Sequence, residues 1–343
     1  MDIRAEESLQ LKQTRNEDTK KEEFSKFKFY MKRARQYFTS SSRIKQLIIK
    51  LFMYVFLIGL AFVFVYPFIY MIVTSLKSNS DLSNFAVEWI PTELKFENYS
   101  VAMTLINYMR YFKNSVLVTV FATLGHVLSC SFIGYGFARF NFPLKKILFF
   151  VVILAFIVPI QTMIIPMYLT YVNLGWRNTY LPLIVPCFFG FGLKGGLYVF
   201  LFRQFYLTLP RDLENAARID GCGFLSTYTR IVFPLGQSTM VVATVLSVVW
   251  HWNDSYEPGM YIDKAALGFL PPRISYIVSI INSPPEDMFE QMAALGLSDG
   301  EDTLNDAVIM ASAALICAPV IIFFAFAQRL FMEGIERSGI TGE

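Results

Sequence analysis

Glu214 to Leu235 reads ENAARIDGCGFLSTYTRIVFPL, a polar segment wedged between two apolar runs. Its first part has the grammar of a helix over 210–220. Pro210 suits a first turn. Asp212 and Glu214 stand where the positive end of a helix favours carboxylates. Leu213, Ala216 and Ala217 fall at i, i+3 and i+4 and share one face, small enough to sink into a groove on another protein. Glu214 and Arg218, at i and i+4, are spaced to pair on its flank. Asp220-Gly221 then ends the helix, since glycine accepts the left-handed conformation at low cost. A second short helix over 224–232 leads to Pro234 and the next apolar run. The residues are consistent with two arrangements: a rigid knuckle projecting from two membrane spans, or an interfacial helix lying on the membrane surface.

Composition sets the setting of this segment. The chain has 343 residues, 55% hydrophobic and only 17% charged, with a mean hydropathy of +0.45. A soluble domain carries roughly a quarter charged residues, so the apolar excess must face lipid or a very large core. A span needs about 20 mostly apolar residues. Six such runs fall near 47–75, 113–137, 147–171, 180–206, 232–256 and 306–331. The expected fold class is an all-α membrane protein. The net charge of +3 and the lack of a basic face interleaved with aromatics give no reason to propose nucleic-acid binding. Cys130, Cys187, Cys222 and Cys317 lie far apart in the sequence and read as small packing residues.

Lys and Arg in the connections orient the spans. Residues 1–46 form a charge-dense tail with Lys20-Lys21-Glu22-Glu23 and Lys32-Arg33-Ala34-Arg35 and no apolar signal-peptide core. Its basic half is suited to anionic lipid or to water. Arg139, Lys145, Lys146, Arg203, Arg211, Arg218, Arg230, Arg329 and Arg337 all fall on the side of that tail if the spans number six. The expectation is a membrane protein with both termini cytoplasmic, a tail over 1–46 and a span-bearing domain over 47–343. The opposite side receives the connection 257–305, which carries Glu286, Asp287, Glu290, Asp299, Glu301 and Asp302. So long a connection is usually functional or disordered; it is placed to meet a partner or simply to cover the bundle.

The order Glu214, Ala216, Ala217, Asp220-Gly221, Ile231, Pro234 resembles the EAA loop of ABC-importer permeases. Further stretches resemble the carbohydrate-uptake branch of that family, which includes the smaller permease of the maltose transporter. They are YPFIYMIVTSLKS (66–78), KNSVLVTV (113–120), FRQFYLTLP (202–210), VWHWND (249–254) and QRLFMEGIERSGITG (328–342). The likeness covers about 50–343. It departs at Gly236-Gln237-Ser238, where the family often has a basic residue and a second proline. The resemblance implies a six-span type I importer fold in the plasma membrane of a prokaryote, with a cytoplasmic coupling helix in the loop 207–234. It implies Glu214, Ala216, Ala217, Asp220 and Gly221 as ATPase-coupling residues. It also implies a second homologous permease, an ATP-binding cassette ATPase dimer that holds the ATP and Mg, an extracytoplasmic solute-binding protein, and a carbohydrate as cargo.

Polar residues within spans are costly and usually face a cavity. Lys194, in Phe191-Gly192-Leu193-Lys194-Gly195-Gly196, is placed to line such a path or to snorkel to the interface. Trp250, Trp252, Asn253, Asp254 and Tyr256 suit sugar stacking and hydroxyl binding, or an aromatic belt. Gln161, between Pro159 and Pro166, is a further candidate. His126 and His251 read as isolated from metal-type partners, so no metal site is expected. No phosphate-binding G-x-x-x-x-G-K-[ST] motif occurs, and no catalytic grouping stands out, so the chain reads as a pathway and a lever rather than an enzyme. An ion-driven secondary transporter predicts intramembrane carboxylates, which the inner halves of the spans lack. A membrane-embedded enzyme would need clustered catalytic groups at one depth. An ABC permease for a non-sugar solute would share the loop but not the HWND stretch and the C-terminal resemblance.

Overall fold

The computed structural model describes residues 41–84, 86–87, 89–283, 285 and 304–337, together with Lys28 and Met31. Among them every regular element is helical. The tail 1–46 and the acidic part of the connection 257–305 lie largely outside the described residues. The chain divides into two units, 1–69 and 70–343.

Helix α1, Ser41–Ser75, is long and apolar enough over Lys45–Ser75 to cross a membrane. Leu51, Phe52, Ile58 and Phe64 along it are exposed, an arrangement suited to hydrocarbon and not to water.

In the second unit, Ser78 caps a short turn by accepting from the Asp81 N–H at 3.2 Å. The Asp81 carboxylate accepts from the Thr92 hydroxyl at 2.6 Å and the Thr92 N–H at 3.0 Å. The Thr92 hydroxyl holds that carboxyl below its usual range, so this connection is an ordered hook. Helix α2, Glu97–Leu105, follows.

Helix α3, Tyr108–Arg139, is the axis of the unit. At 1.5 Å per residue its length is roughly 48 Å, more than the ~30 Å of hydrocarbon. Ser115, Thr119, Thr123, His126 and Ser131 are buried along it. Thr123 donates to Ser247 at 3.0 Å, and Ser131 meets the hydroxyls of Tyr206 at 2.6 Å and Tyr228 at 2.9 Å. Small and hydroxylated residues between helices are the usual means of association where lipid offers no hydrophobic drive.

Two expected spans are broken. The span expected over 147–171 divides into α4, Lys145–Ile157, and α5, Ile160–Asn173, bent by 101° at Val158-Pro159. Pro159 has no N–H to continue the ladder, and it pushes Val158 to an extended conformation. The span expected over 180–206 begins as a helical turn, Leu181–Ile184, and a 3-10 turn, Val185–Phe189. It then passes through Gly190, Gly192 and Lys194, all at positive φ. Only after them does α6, Gly195–Thr208, begin. Hydropathy reads composition and so joins these pieces; the backbone chemistry of Pro159 and of the glycines separates them.

Helix α7, Asp212–Ile219, and the four-residue α8, Phe224–Thr227, form the segment between membrane helices. A π-turn over Tyr228–Val232 follows, with the Phe233 N–H reaching Tyr228 O. A 74° bend then leads into α9, Gln237–Asn253. Helices α10, Tyr256–Tyr261, and α11, Arg273–Asn282, lie in the connection before α12, Asp306–Arg337. Helix α6 packs along α3, and α9 packs against both α3 and α12.

Gly134 sets the closeness of α3 to α6. A Cβ there would stand 2.7 Å from the Phe202 Cβ and 2.9 Å from the Arg203 backbone nitrogen. Gly136, two residues on and so nearly on the opposite face of the helix, has open space around it. Gly134→Ala is therefore expected to lower stability by about 1–3 kcal/mol through overpacking. Gly136→Ala should be neutral or slightly stabilising, since alanine is the better helix former. Thermal unfolding of both variants in detergent checks the contrast; equal melting temperatures would refute it.

Candidate functional site

The first candidate element is the knuckle α7–α8. Its helix begins with Asp212 and Glu214 in the first turn and ends at Asp220, with Gly221 at φ +81°. Start, stop and second helix thus lie close to where their local sequence puts them. The faces do not. Glu214 and Ala217 are the buried residues of α7, while Leu213 and Ala216 point outward. The face expected to hold Leu213, Ala216 and Ala217 together is therefore split between inside and outside.

Glu214 also has a different partner from the expected Arg218. Its carboxylate approaches the Arg139 guanidinium at 2.6 Å, with both side chains more than nine-tenths buried. Arg139 in addition donates to Leu209 O at 2.7 Å. Arg139 ends α3, where a cation suits the helix dipole. The pair ties the knuckle to the end of the longest buried helix. Around it, Phe224 stacks on Tyr135 at 5.6 Å and Tyr228 meets Tyr135 at 5.2 Å. The outward surface mixes the polar Asp212, Asn215, Arg218 and Asp220 with the apolar Leu213, Leu225 and above all Ile219, 87% exposed. Arg139 and Ile219 are absent from the sequence-derived set. For Arg139 the signal was a lone basic residue at a span end; for Ile219, an apolar residue on the polar side of a short amphipathic helix.

The second candidate element is a cavity of about 770 Å³ at the two broken spans. Gln161, Lys194, Trp250, Asn253, Asp254 and Tyr256 all line it. Lys194 Nζ lies 4.6 Å from the Trp250 ring and 5.2 Å from that of Phe156. A cation over two aromatic faces is held by their quadrupoles, by about 2 kcal/mol or more where water is scarce. Phe156 was not anticipated. The cavity offers what a polyhydroxylated solute needs: flat apolar rings with few polar groups between them.

Trp252 does not belong to this cavity. It is buried, its indole N–H donates to Ile316 O at 3.1 Å, and it meets Phe112 edge-on at 6.1 Å. It joins α9 to α12 as a packing residue. Successive positions on a helix point about 100° apart, so Trp250 and Trp252 face different ways.

The two histidines, read as isolated, are neighbours. The His126 and His251 ring centroids lie 5.1 Å apart, and Cys187 Sγ is 3.7 Å from His251 Nε2. They come from α3, α9 and the 3-10 turn, which the sequence separates widely.

The chain matches the family model described as "Binding-protein-dependent transport system inner membrane component" over residues 131–337, more than half of its length. It is 27% identical over 293 residues to the arabinooligosaccharides transport system permease protein AraQ of Bacillus subtilis (strain 168), covering 84% of this chain and 94% of the relative. It is 29% identical over 280 residues to the melibiose/raffinose/stachyose import permease protein MelC of the same organism, covering 80% and 91%. Its fold is similar to a chain in the crystal structure of a bacterial ABC transporter involved in the import of the acidic polysaccharide alginate. The TM-score is 0.68 at 20% identity, over 85% of this chain and 98% of that one.

Two expectations follow from the geometry. Arg139→Ala leaves a buried carboxylate without its counter-charge and should cost about 3–5 kcal/mol. A joint Arg139→Met and Glu214→Leu replacement should recover much of that in a melting experiment. Trp252→Ala should cost about 3–5 kcal/mol, whereas Trp250→Ala, in the cavity wall, should shift the melt far less. Equal losses at the two tryptophans would contradict their assigned places.

Proposed function

Because the chain belongs to the family of binding-protein-dependent transport system inner membrane components, we propose that it is the permease subunit of an ABC importer that carries a carbohydrate, most simply an oligosaccharide, into a prokaryotic cell. The proposal takes six spans, with both termini in the cytoplasm: the three long helices, the two bent pairs counted as one each, and as the sixth the interrupted segment that ends in α6. A second, homologous permease completes the pathway. An extracytoplasmic binding protein delivers cargo, and a partner ATPase dimer supplies energy. The named relatives carry sugars, and the cavity wall of Trp250 and Tyr256 with Gln161, Asn253 and Asp254 suits a sugar's flat apolar faces and hydroxyl rim.

The observation that carries the coupling role is the Arg139–Glu214 pair. A lever must be stiff where it joins the load and adhesive where it is pushed. Glu214 and Ala217 supply the inward attachment, so Glu214 acts as a positioning residue. The outward Leu213, Ala216, Ile219 and Asp220 are the contact surface for the ATPase. Closure of the ATPase dimer then moves α7 as a rigid piece, and α3 and α6 carry that motion to the cavity.

Gly221 is the test position. Its φ of +81° is strained for any residue with a Cβ, yet the space beside it is open. Gly221→Val should therefore leave the membrane helices packed while distorting the knuckle, at a cost of about 1–3 kcal/mol. In the assembled transporter, uptake of a labelled oligosaccharide should fall at least tenfold while ATP hydrolysis loses its stimulation by the binding protein. Normal uptake with normal stimulation would refute the lever. If the wild type takes up none of a sugar panel but still assembles with its ATPase, the importer reading stands and the sugar does not.

A further inference from the structure

We propose that His126, Cys187 and His251 form a buried binding site for a Zn²⁺-class metal ion, which pins the broken fourth span to α3 and α9 beside the cavity.

The three ligand atoms lie within 4.8 Å of one another and come from three separate elements. Two ligands on one tetrahedral zinc, with bonds of about 2.0 Å to nitrogen and 2.3 Å to sulfur, stand roughly 3.6 Å apart. Cys187 Sγ and His251 Nε2 are already 3.7 Å apart. The remaining separations, at most 4.8 Å, exceed the ligand spacing of a tetrahedral ion by about 1 Å.

The outer contacts suit ligation. His251 Nδ1 faces the Ser247 carbonyl at 2.9 Å. A proton there leaves the Nε2 lone pair directed at Cys187. A ligating histidine is usually oriented by such a hydrogen bond from its other nitrogen. His126 is fully buried, and neither ring nitrogen has a partner of good hydrogen-bond geometry; the Phe191 backbone lies beside the ring without meeting that geometry. A buried acceptor without a partner is destabilising, a penalty that a metal bond removes.

Room for the ion is kept by glycine. A Cβ at Gly192 would stand 3.2 Å from Cys187 Sγ and 3.6 Å from His126 Nε2. Gly192 adopts φ +111°, a conformation that few other residues accept. The space a side chain would fill therefore borders two of the three ligand atoms.

Charge points the same way. Glu257 is 5% exposed, and its Oε1 has no partner. It lines, with Asp254, His251, Ser115 and Thr119, a small cavity of about 10 Å³. A divalent ion with one thiolate ligand carries a net single positive charge, which these neighbouring carboxyl groups would offset. On binding, the Cys187 S–H bond breaks as the sulfur–metal bond forms, and the proton is released to water. Imidazole and thiolate together favour Zn²⁺ over Mg²⁺ or Ca²⁺.

The experiment uses the intact transporter in detergent. It is stripped with a chelator, reloaded with Zn²⁺ or Co²⁺, and desalted. The expected result is about one metal ion per permease by elemental analysis, and a thiolate-to-cobalt charge-transfer band in the Co²⁺ form. The band should vanish in Cys187→Ser, and metal retention should fall at least tenfold in Cys187→Ser and in His126→Ala. Chelation should lower the melting temperature of the wild type but not of Cys187→Ser. If the wild type retains no stoichiometric metal and shows no band, the proposal is overturned without reference to any variant. Retention and band equally strong in wild type and Cys187→Ser would overturn it too.

Discussion

A guanidinium and a carboxylate meet at the end of a membrane helix with almost no water around them. Arg139 and Glu214 are each less than a tenth exposed, so each charge would be intolerable without the other. Replacing such a pair by apolar residues is often harmless to stability, whereas removing one member is not. Its value lies in position. Helix α7 has eight residues, too few to be stable alone in water. It keeps its place because one face is bonded to α3 by charge and its continuation is packed by the Tyr135, Phe224 and Tyr228 rings. The other face is thereby turned outward as a fixed surface.

The cavity depends on the opposite device, interruption. Pro159 turns α4 away from α5, and the positive-φ residues from Gly190 to Lys194 open the span before α6. Freed backbone groups at membrane depth are tolerated where protein or water satisfies them. Both breaks border the same cavity. Lys194, at one of those breaks, sits over the rings of Trp250 and Phe156. The proposed function asks for stiffness at the knuckle and an opening at the breaks, and the two devices differ accordingly.

Features encoded by neighbouring residues were legible. The carboxylates of the first turn, the stop at Asp220-Gly221 and the short second helix need only local chemistry, and they stand close to where it places them. Five of the aromatic and polar residues near the end of α9 or before α6 also reach the cavity, as does Gln161, because polar side chains in apolar runs seek such a place. Pairings across the chain were not legible. Glu214 has Arg218 one turn away, but the desolvated partner comes from the end of α3. Trp252 has the same chemistry as Trp250, and only helix phase relative to α12 sends it inward. His126 and His251 look solitary until α3 and α9 lie side by side. The spans near 147–171 and 180–206 carried local warnings, Pro159 with Pro166 in the first and the glycines beside Lys194 in the second; what an apolar average did not register was how far those residues break the helix.

The shortness of α6 bears on how the protein is made. Its 14 residues reach about 21 Å, well short of the ~30 Å of hydrocarbon. Such a segment cannot hold itself in a bilayer as an independent unit. It is accommodated by Gly134 and the hydroxyls of α3, which lie earlier in the chain. Synthesis therefore delivers the receiving groove before the helix that fills it, and the order of the sequence doubles as an order of insertion.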